Sequence, residues 1–275
     1  MGKQTPNVDW VQRAPQSSQM ERFEAFFSGH GFTLHRHDTY AIGRTLSGVQ
    51  SFKYRGSQRH SLPGGTMVLH PDEVHDGEAG TRDGFKYRMI YLQPSLIQSA
   101  LGGQPLPFVP GGLSADPRLR VATEALLQSM DNALDPLEEQ DAIFDLAQAL
   151  NAVCGAPGKR RSFDYQAAER AREFIHSALD RTVTLDELAE HSGRDRWNLC
   201  RDFRLLFGTS PYRYLSMRRL DLVRSLLVQG HSLSEAALMA GFTDQSHMTR
   251  QFRTTFGLAP GHWQKMQRLA GNPRR

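Results

Sequence analysis

Cysteine is scarce in this chain: Cys154 and Cys200 are the only two among 275 residues. They fall in regions that read as different domains, which excludes a disulfide framework and suits a reducing compartment. Long apolar runs are missing as well. Nowhere do eighteen apolar residues stand together, and the first thirty residues carry no basic stretch followed by an apolar one. Neither a membrane span nor a signal peptide is expected, so the chain reads as cytoplasmic.

What is present suffices for two domains with separate cores, since 39% of the residues are hydrophobic. The net charge of +4 hides an asymmetry: from residue 159 onward 20 Lys and Arg face 12 Asp and Glu, and the first 158 residues hold the remaining 13 and 17. A basic C-terminal half attracts polyanions, of which nucleic acid is the usual one in the cytoplasm, although plain solubilising charge reads the same way.

Residues 1 to about 20 are polar and aperiodic and read as a mobile arm. From Gly31 to Pro94 short β-rich runs follow: Tyr40 to Leu46, Val49 to Tyr54, Thr66 to Leu69 and Phe85 to Leu92. Their spacing indicates a small antiparallel barrel or sandwich. Along the first run Tyr40, Ile42, Arg44 and Leu46 share one face, and Ala41, Gly43 and Thr45 the other. Two helices follow, opened by Asp116-Pro117 and Asp135-Pro136. The second carries the stripe Ile143, Leu146, Ala147, Leu150 and Val153. That stripe either covers the edge of the barrel or pairs with a second subunit, and a homodimer is the favoured expectation. Gly155 to Gly158 followed by Lys159-Arg160-Arg161 reads as a linker, placing the domain boundary at about 158.

Everything after residue 163 reads as helix and contains a repeat. Thr184-Leu-Asp-Glu187 and Ser232-Leu-Ser-Glu235 are capping boxes 48 residues apart, and Gly193 and Gly241 keep that offset. After the turn the offset becomes 49, pairing Leu199 with Met248, Arg201 with Arg250, Phe203 with Phe252 and Phe207 with Phe256. The second copy therefore has one extra turn residue, Phe242 or Thr243. Each copy is a capped short helix, a glycine turn and a longer helix with one apolar side, the pattern of a helix-turn-helix. A connecting helix from Ser210-Pro211, carrying Leu215, Leu222 and Leu226, would hold both units so that their second helices reach adjacent major grooves, ~34 Å apart.

With the apolar residues turned inward, Arg196, Trp197, Cys200, Arg201 and Arg204 are left outward or flanking on the first such helix. Gln245, Ser246, His247, Thr249, Arg250 and Arg253 are left outward on the second. Arg suits guanine, Gln suits adenine, and Thr, Cys or an indole ring can meet a thymine methyl. Contact with phosphate alone is the alternative for each arginine.

The segments SGRDRWNLCRDFRLLFGTSP and GFTDQSHMTRQFRTTFGLAP closely resemble the duplicated helix-turn-helix of the AraC/XylS family of bacterial transcription regulators, over about residues 164 to 265. The resemblance implies base reading by Arg196, Trp197, Cys200 and Arg201, and by Gln245, Ser246, His247, Thr249 and Arg250. It also implies double-stranded promoter DNA as a partner, and contact with RNA polymerase, more often activating than repressing. Cys200 departs from the longer polar residues usual at its position.

The N-terminal segment is similar to the cupin-like effector domains of this family through His35-Arg-His37-Asp-Thr-Tyr40 and Pro63-Gly-Gly-Thr-Met-Val-Leu-His70-Pro-Asp-Glu-Val-His75. Metal-binding cupins carry a glutamate about four residues after the histidine pair, where this chain has Tyr40-Ala-Ile-Gly43. No metal and no cofactor are therefore expected, and the chain is not read as an enzyme. His35, His37, Tyr40, Arg44 and His75 are expected to line or gate a pocket for a small organic effector. The expected fold is thus α+β in two domains: a cupin-like antiparallel β-barrel with a helix pair, residues 1–158, and an all-α domain with two helix-turn-helix units joined by a long helix, residues 159–275. The rival readings are a metal-dependent cupin enzyme with a DNA-binding tail, and a constitutive regulator whose barrel only dimerises.

Overall fold

In the computed structural model, which describes residues 9–15, 17, 19–128, 130–154 and 163–270, the β-rich stretch forms two sheets. Its strands are β1 (Trp10–Arg13), β2 (Met20–Phe27), β3 (His30–His35), β4 (Tyr40–Gly48), β5 (Gln50–Tyr54), β6 (Ser57–Ser61), β7 (Thr66–Leu69), β8 (His75–Ala79), β9 (Phe85–Leu92) and β10 (Leu113–Ser114). One sheet has the order β1-β2-β9-β4-β7-β10, the other β3-β8-β5-β6. Pairing is antiparallel along the first sheet and between β5 and each of its neighbours.

The chain divides into two compact units. One comprises Met1–Leu34, Thr39–Leu101 and Pro107–Ala156; the other comprises His35–Asp38, Gly102–Leu106 and Pro157–Arg275. The linker at Gly155 to Arg161 lies outside the described residues.

Alternation along the strands builds the core of the first unit. Phe23, Ala25 and Phe27 of β2, Ala41 of β4, Phe52 and Tyr54 of β5, Met67 and Leu69 of β7, and Phe85, Tyr87 and Met89 of β9 pack together between the sheets. The small residues of β4 therefore face inward. Arg44, on the opposite face, pairs with Glu124 of the helix α2 (Pro117–Leu127). The same face of β2 and β9 carries buried charge under α2: Arg22 donates to the Leu126 carbonyl (3.1 Å), and Arg88 pairs with Glu24 (2.5 Å).

The structure corrects the expected N-terminal arm in part. Trp10–Arg13 is an edge strand in register with Phe23 to Phe26 of β2. Beyond β9 come α1 (Pro94–Ala100), α2 and α3 (Pro136–Cys154). Asp116 caps α2 by accepting from the Arg118 amide (2.9 Å), and Asp135 accepts from the Leu137 amide (2.9 Å) at the start of α3. The stripe Ile143, Leu146, Ala147 and Leu150 is buried within this unit, worth roughly 1.5–3 kcal/mol for each large side chain. Helices α1 and α2 pack against α3, so this buried stripe is used within the chain itself.

The second unit contains α4 (Tyr165–Ser177), α5 (Leu185–Ser192), α6 (Arg196–Phe207), α7 (Pro211–Val228), α8 (Leu233–Met239), α9 (Gln245–Phe256) and α10 (Pro260–Ala270). Both capping boxes form. Thr184 Oγ1 accepts from the Glu187 amide while Glu187 accepts from the Thr184 amide, and Ser232 and Glu235 do the same, stabilising each short helix by about 1 kcal/mol. Leu199, Phe203 and Phe207 pack with Tyr214 and Leu215 in one core. Met248 and Phe252 pack with Leu220, Val223, Leu226 and Leu227 in the other. The two halves of α7 thus anchor one helix-turn-helix each.

Candidate nucleic-acid interface and effector domain

Apolar residues every fourth position fix which side of α6 and α9 faces out. With Leu199, Phe203 and Phe207 inward, Arg196, Trp197, Arg201 and Arg204 are exposed and Cys200 is half-buried. With Met248 and Phe252 inward, Gln245, Ser246 and Arg250 are exposed and His247 and Thr249 half-buried. Trp197 is 74% exposed, with the Arg196 guanidinium 5.9 Å from its ring centre, so it is not a packing residue. Trp197, Cys200, Arg201, Arg204 and Leu205 line an open depression along α6.

Within each copy an equivalent contact ties the short helix to the longer one. Arg196, first residue of α6, bonds Asp186 of α5 (3.0 Å). Gln245, first residue of α9, accepts from Ser234 of α8 (2.6 Å). Asp195 and Asp244 cap the helices and are held below the usual carboxylate range by the backbone N–H groups they accept from.

The copies also differ. Arg201 and Arg194 both pair with the fully buried Asp202, at 3.1 and 2.9 Å. Gln251 stands at the equivalent place in the second copy, where Arg250 has no such neighbouring carboxylate. The extra turn residue of the second copy has a packing role: Phe242 is buried in the second core, and its ring meets His247 edge-on at 5.5 Å. Thr243 bonds His247 Nδ1 at 3.2 Å, so the longer turn orients a side chain of the exposed face. Gly241 sits at φ 76, and a Cβ there would lie 2.4 Å from the Leu179 carbonyl.

Of the expected effector residues, Tyr40, Arg44 and His75 belong to the sheet unit, and His35 and His37 to the helical unit. His35 and His37 are buried, with ring centres 6.1 Å apart. Tyr40 is fully buried and donates to the Pro107 carbonyl (2.6 Å). His75 is buried and donates from Nδ1 to the Glu73 carbonyl (2.9 Å). Arg44 faces α2, lining a shallow depression with Arg120, Val121, Glu124, Ala125 and Gln128, and does not point between the sheets. The strand positions where metal-binding cupins carry their glutamate hold buried Tyr40, Ala41, Ile42 and Gly43, which offer no carboxylate.

Sequence reasoning passed over His70, Tyr54, Arg55 and Phe108. His70 is buried at the end of β7, with Nδ1 2.5 Å from Tyr54 Oη and Nε2 2.9 Å from the Val109 amide. Burial pushes its pKa down to about 3, with Arg55 adding to the shift. The signal available in the sequence was the motif from Pro63 to His75, which contains His70 and of which His75 alone reads as an effector residue. No helix among the described residues is long and apolar enough to cross a membrane.

Known proteins share both halves. The family described as AraC-like ligand binding domain matches residues 17–147, and that described as helix-turn-helix domain matches residues 188–266. The XylDLEGF operon transcriptional activator 1 of Pseudomonas putida is 31% identical, across 80% of this chain and 73% of its own. An uncharacterized HTH-type transcriptional regulator, YbfI of Bacillus subtilis, is 26% identical across 79% of this chain and 81% of its own. The fold is that of ToxT from Vibrio cholerae strain SCE256, in a crystal structure with bound unsaturated fatty acid: TM-score 0.65 at 13% identity, covering 94% of this chain and 99% of that one. These matches follow the duplicated helix-turn-helix and the two-sheet domain described above, and the chain belongs to the AraC/XylS family of DNA-binding transcription regulators.

Proposed function

We propose that this regulator reads promoter DNA with α6 and α9 in successive major grooves, through Arg196, Trp197, Cys200, Arg201 and Arg204 on the first and Gln245, Ser246, His247, Thr249 and Arg250 on the second. The observation that carries the reading is the duplicated outward face: two equivalently capped helices, each with its apolar side buried and its polar side exposed. The functional boundary lies at about residue 158. The protein works in the cytoplasm as an activator that contacts RNA polymerase, and its N-terminal domain senses a small organic effector. Tyr40 and His75, at one end of the sheets, are the expected effector residues best supported by position; Arg44 is better placed to hold α2, and His35 and His37 are retained as gating residues.

A homodimer forms through the outer face of α3, since the inner stripe is used internally. Leu137 and Phe144, seven residues apart and 66% and 50% exposed, supply its apolar contacts. The enzyme reading draws no support from the relatives, which are regulators. A reporter assay decides the core of the reading. The full chain is expected to switch a promoter in response to a metabolite, and a truncation to residues 159–275 to lose that response. An unchanged response in the truncation contradicts the effector role of the N-terminal domain.

A further inference from the structure

One cluster in the sheet unit is unused by DNA recognition. Tyr40 opens β4 and His70 follows β7, so the antiparallel register sets them side by side, and Tyr54, closing β5 of the other sheet, meets His70 through its hydroxyl (2.5 Å). Into that end runs the segment Pro107-Phe108-Val109. The Phe108 ring stacks on His70, with centres 4.1 Å apart and planes at 26°. The Arg55 guanidinium lies 4.8 Å from the Phe108 ring centre. Tyr40 donates to the Pro107 carbonyl, and the Val109 amide donates to His70 Nε2. Because Nε2 accepts, the neutral imidazole carries its proton on Nδ1 and donates to Tyr54 Oη.

Arg55 is held there by an uncommon backbone. It has φ 50 in the two-residue turn with Gly56 between β5 and β6, a position that favours Asn or Gly. Non-glycine residues in this region are strained and gather at ligand clamps and switches. Among the described residues the carboxylate beside Arg55 is Glu73, at a long 3.6 Å, so the guanidinium is held only loosely by it.

We propose that this slot is the effector-binding site and that Pro107–Val109 fills it as a built-in surrogate. The effector is a small aromatic compound bearing a hydrogen-bond acceptor and an N–H or O–H donor. Its ring replaces Phe108 against His70 and Arg55, its acceptor takes the Tyr40 hydroxyl, and its donor takes His70 Nε2. A stacked imidazole and a cation close to the ring centre select an aromatic ring over an aliphatic one. The strap competes with the effector, so apparent affinity is lowered by the fraction of molecules in which the slot is filled. This inference rests on the reading of the N-terminal unit as an effector domain.

The test uses the full-length protein and N-acetyl-L-phenylalaninamide as probe, with N-acetyl-L-alaninamide as the ringless control, both titrated by calorimetry. Phe108→Ala is expected to bind the probe at least tenfold more tightly than the wild-type chain, and adding Tyr40→Phe to remove most of that gain. Neither protein should bind the control. Equal affinity of Phe108→Ala and wild type for the probe, or equal binding of probe and control, overturns the proposal. Should Phe108→Ala not fold, Phe108→Leu, which keeps apolar bulk and removes the ring, is held to the same comparison. Promoter-DNA affinity measured on the same proteins separates the two readings: a failed slot with intact DNA binding leaves the regulator standing.

Discussion

Arg201 Nη2 lies 3.1 Å from the carboxylate of its neighbour Asp202, which is fully buried and also holds Arg194 and the Asp164 amide. In the second copy Gln251 takes the place of Asp202. The two equivalent arginines therefore have different settings, Arg201 oriented by an internal anion and Arg250 exposed on the helix surface. Removing Arg201 leaves a buried carboxylate with one cation fewer; removing Arg250 takes away an exposed side chain.

Arg250→Ala is expected to lose about 1–3 kcal/mol of specific DNA binding with no change in melting temperature. Arg201→Ala is expected to lose DNA affinity and also thermal stability, because a buried charge loses a partner. Competition binding and thermal melting on the same preparations distinguish the two patterns; equal melting temperatures for both variants would show that the Asp202 pairing has no structural weight.

Phe242→Ala should destabilise the helical unit by roughly 3–5 kcal/mol, the cost of removing a buried aromatic ring. Gly241→Ala should also destabilise it, since left-handed backbone and a carbonyl at 2.4 Å both oppose a methyl group. Denaturant unfolding checks both. A Gly241→Ala protein as stable as wild type would mean that the turn relaxes freely.

His70 gives the sheet unit a pH dependence with a defined sign. Its pKa is near 3 in the folded chain and about 6.5 when unfolded, so below pH 6.5 the unfolded chain binds the proton and the folded chain does not. The stability due to the neutral ring is complete above pH 6.5 and is lost as the pH falls through the window from about 6.5 toward 3. His176, lowered to about 4 chiefly by burial, acts in the same direction, whereas the buried Asp38, raised to about 6 by burial, opposes it. Comparison with His70→Gln isolates the contribution of His70. The advantage of wild type over the variant should shrink by on the order of 2 kcal/mol between pH 7 and pH 5, and a constant difference would contradict a neutral buried His70.

The outer face of α3 yields a solution test. Phe144→Asp is expected to shift a homodimer toward monomer in sedimentation velocity with secondary structure unchanged, because the residue is half exposed and does not support the internal core. Dimers that persist at the wild-type concentration dependence place the interface elsewhere.

How much of this was legible in the sequence follows from which interactions are local. Capping boxes, glycine turns and the Leu199/Phe203/Phe207 and Met248/Phe252/Phe256 spacings lie within a few residues, and the structure contains them as read. The strand β2 was missed because its second face carries Arg22 and Glu24, charges that are buried only by carbonyls and cations on α2 and β9. The face of β4 carrying Arg44 suggested a pocket wall, and only the placement of α2 shows it to be a helix-packing face. The His70 slot joins residues 40, 54, 55, 70 and 108, each unremarkable alone, through strand register that no local pattern encodes. The single extra residue in the second turn was visible as an offset; its use as a core anchor at Phe242 was not.

Groove-specific footprinting shows whether both helix-turn-helix units read DNA together. On a promoter fragment selected by the wild-type protein, the account predicts two protected major-groove segments one helical turn apart. Arg201→Ala should weaken protection of one segment and Arg250→Ala that of the other. A single protected segment, unaffected by the α6 substitution, would contradict it.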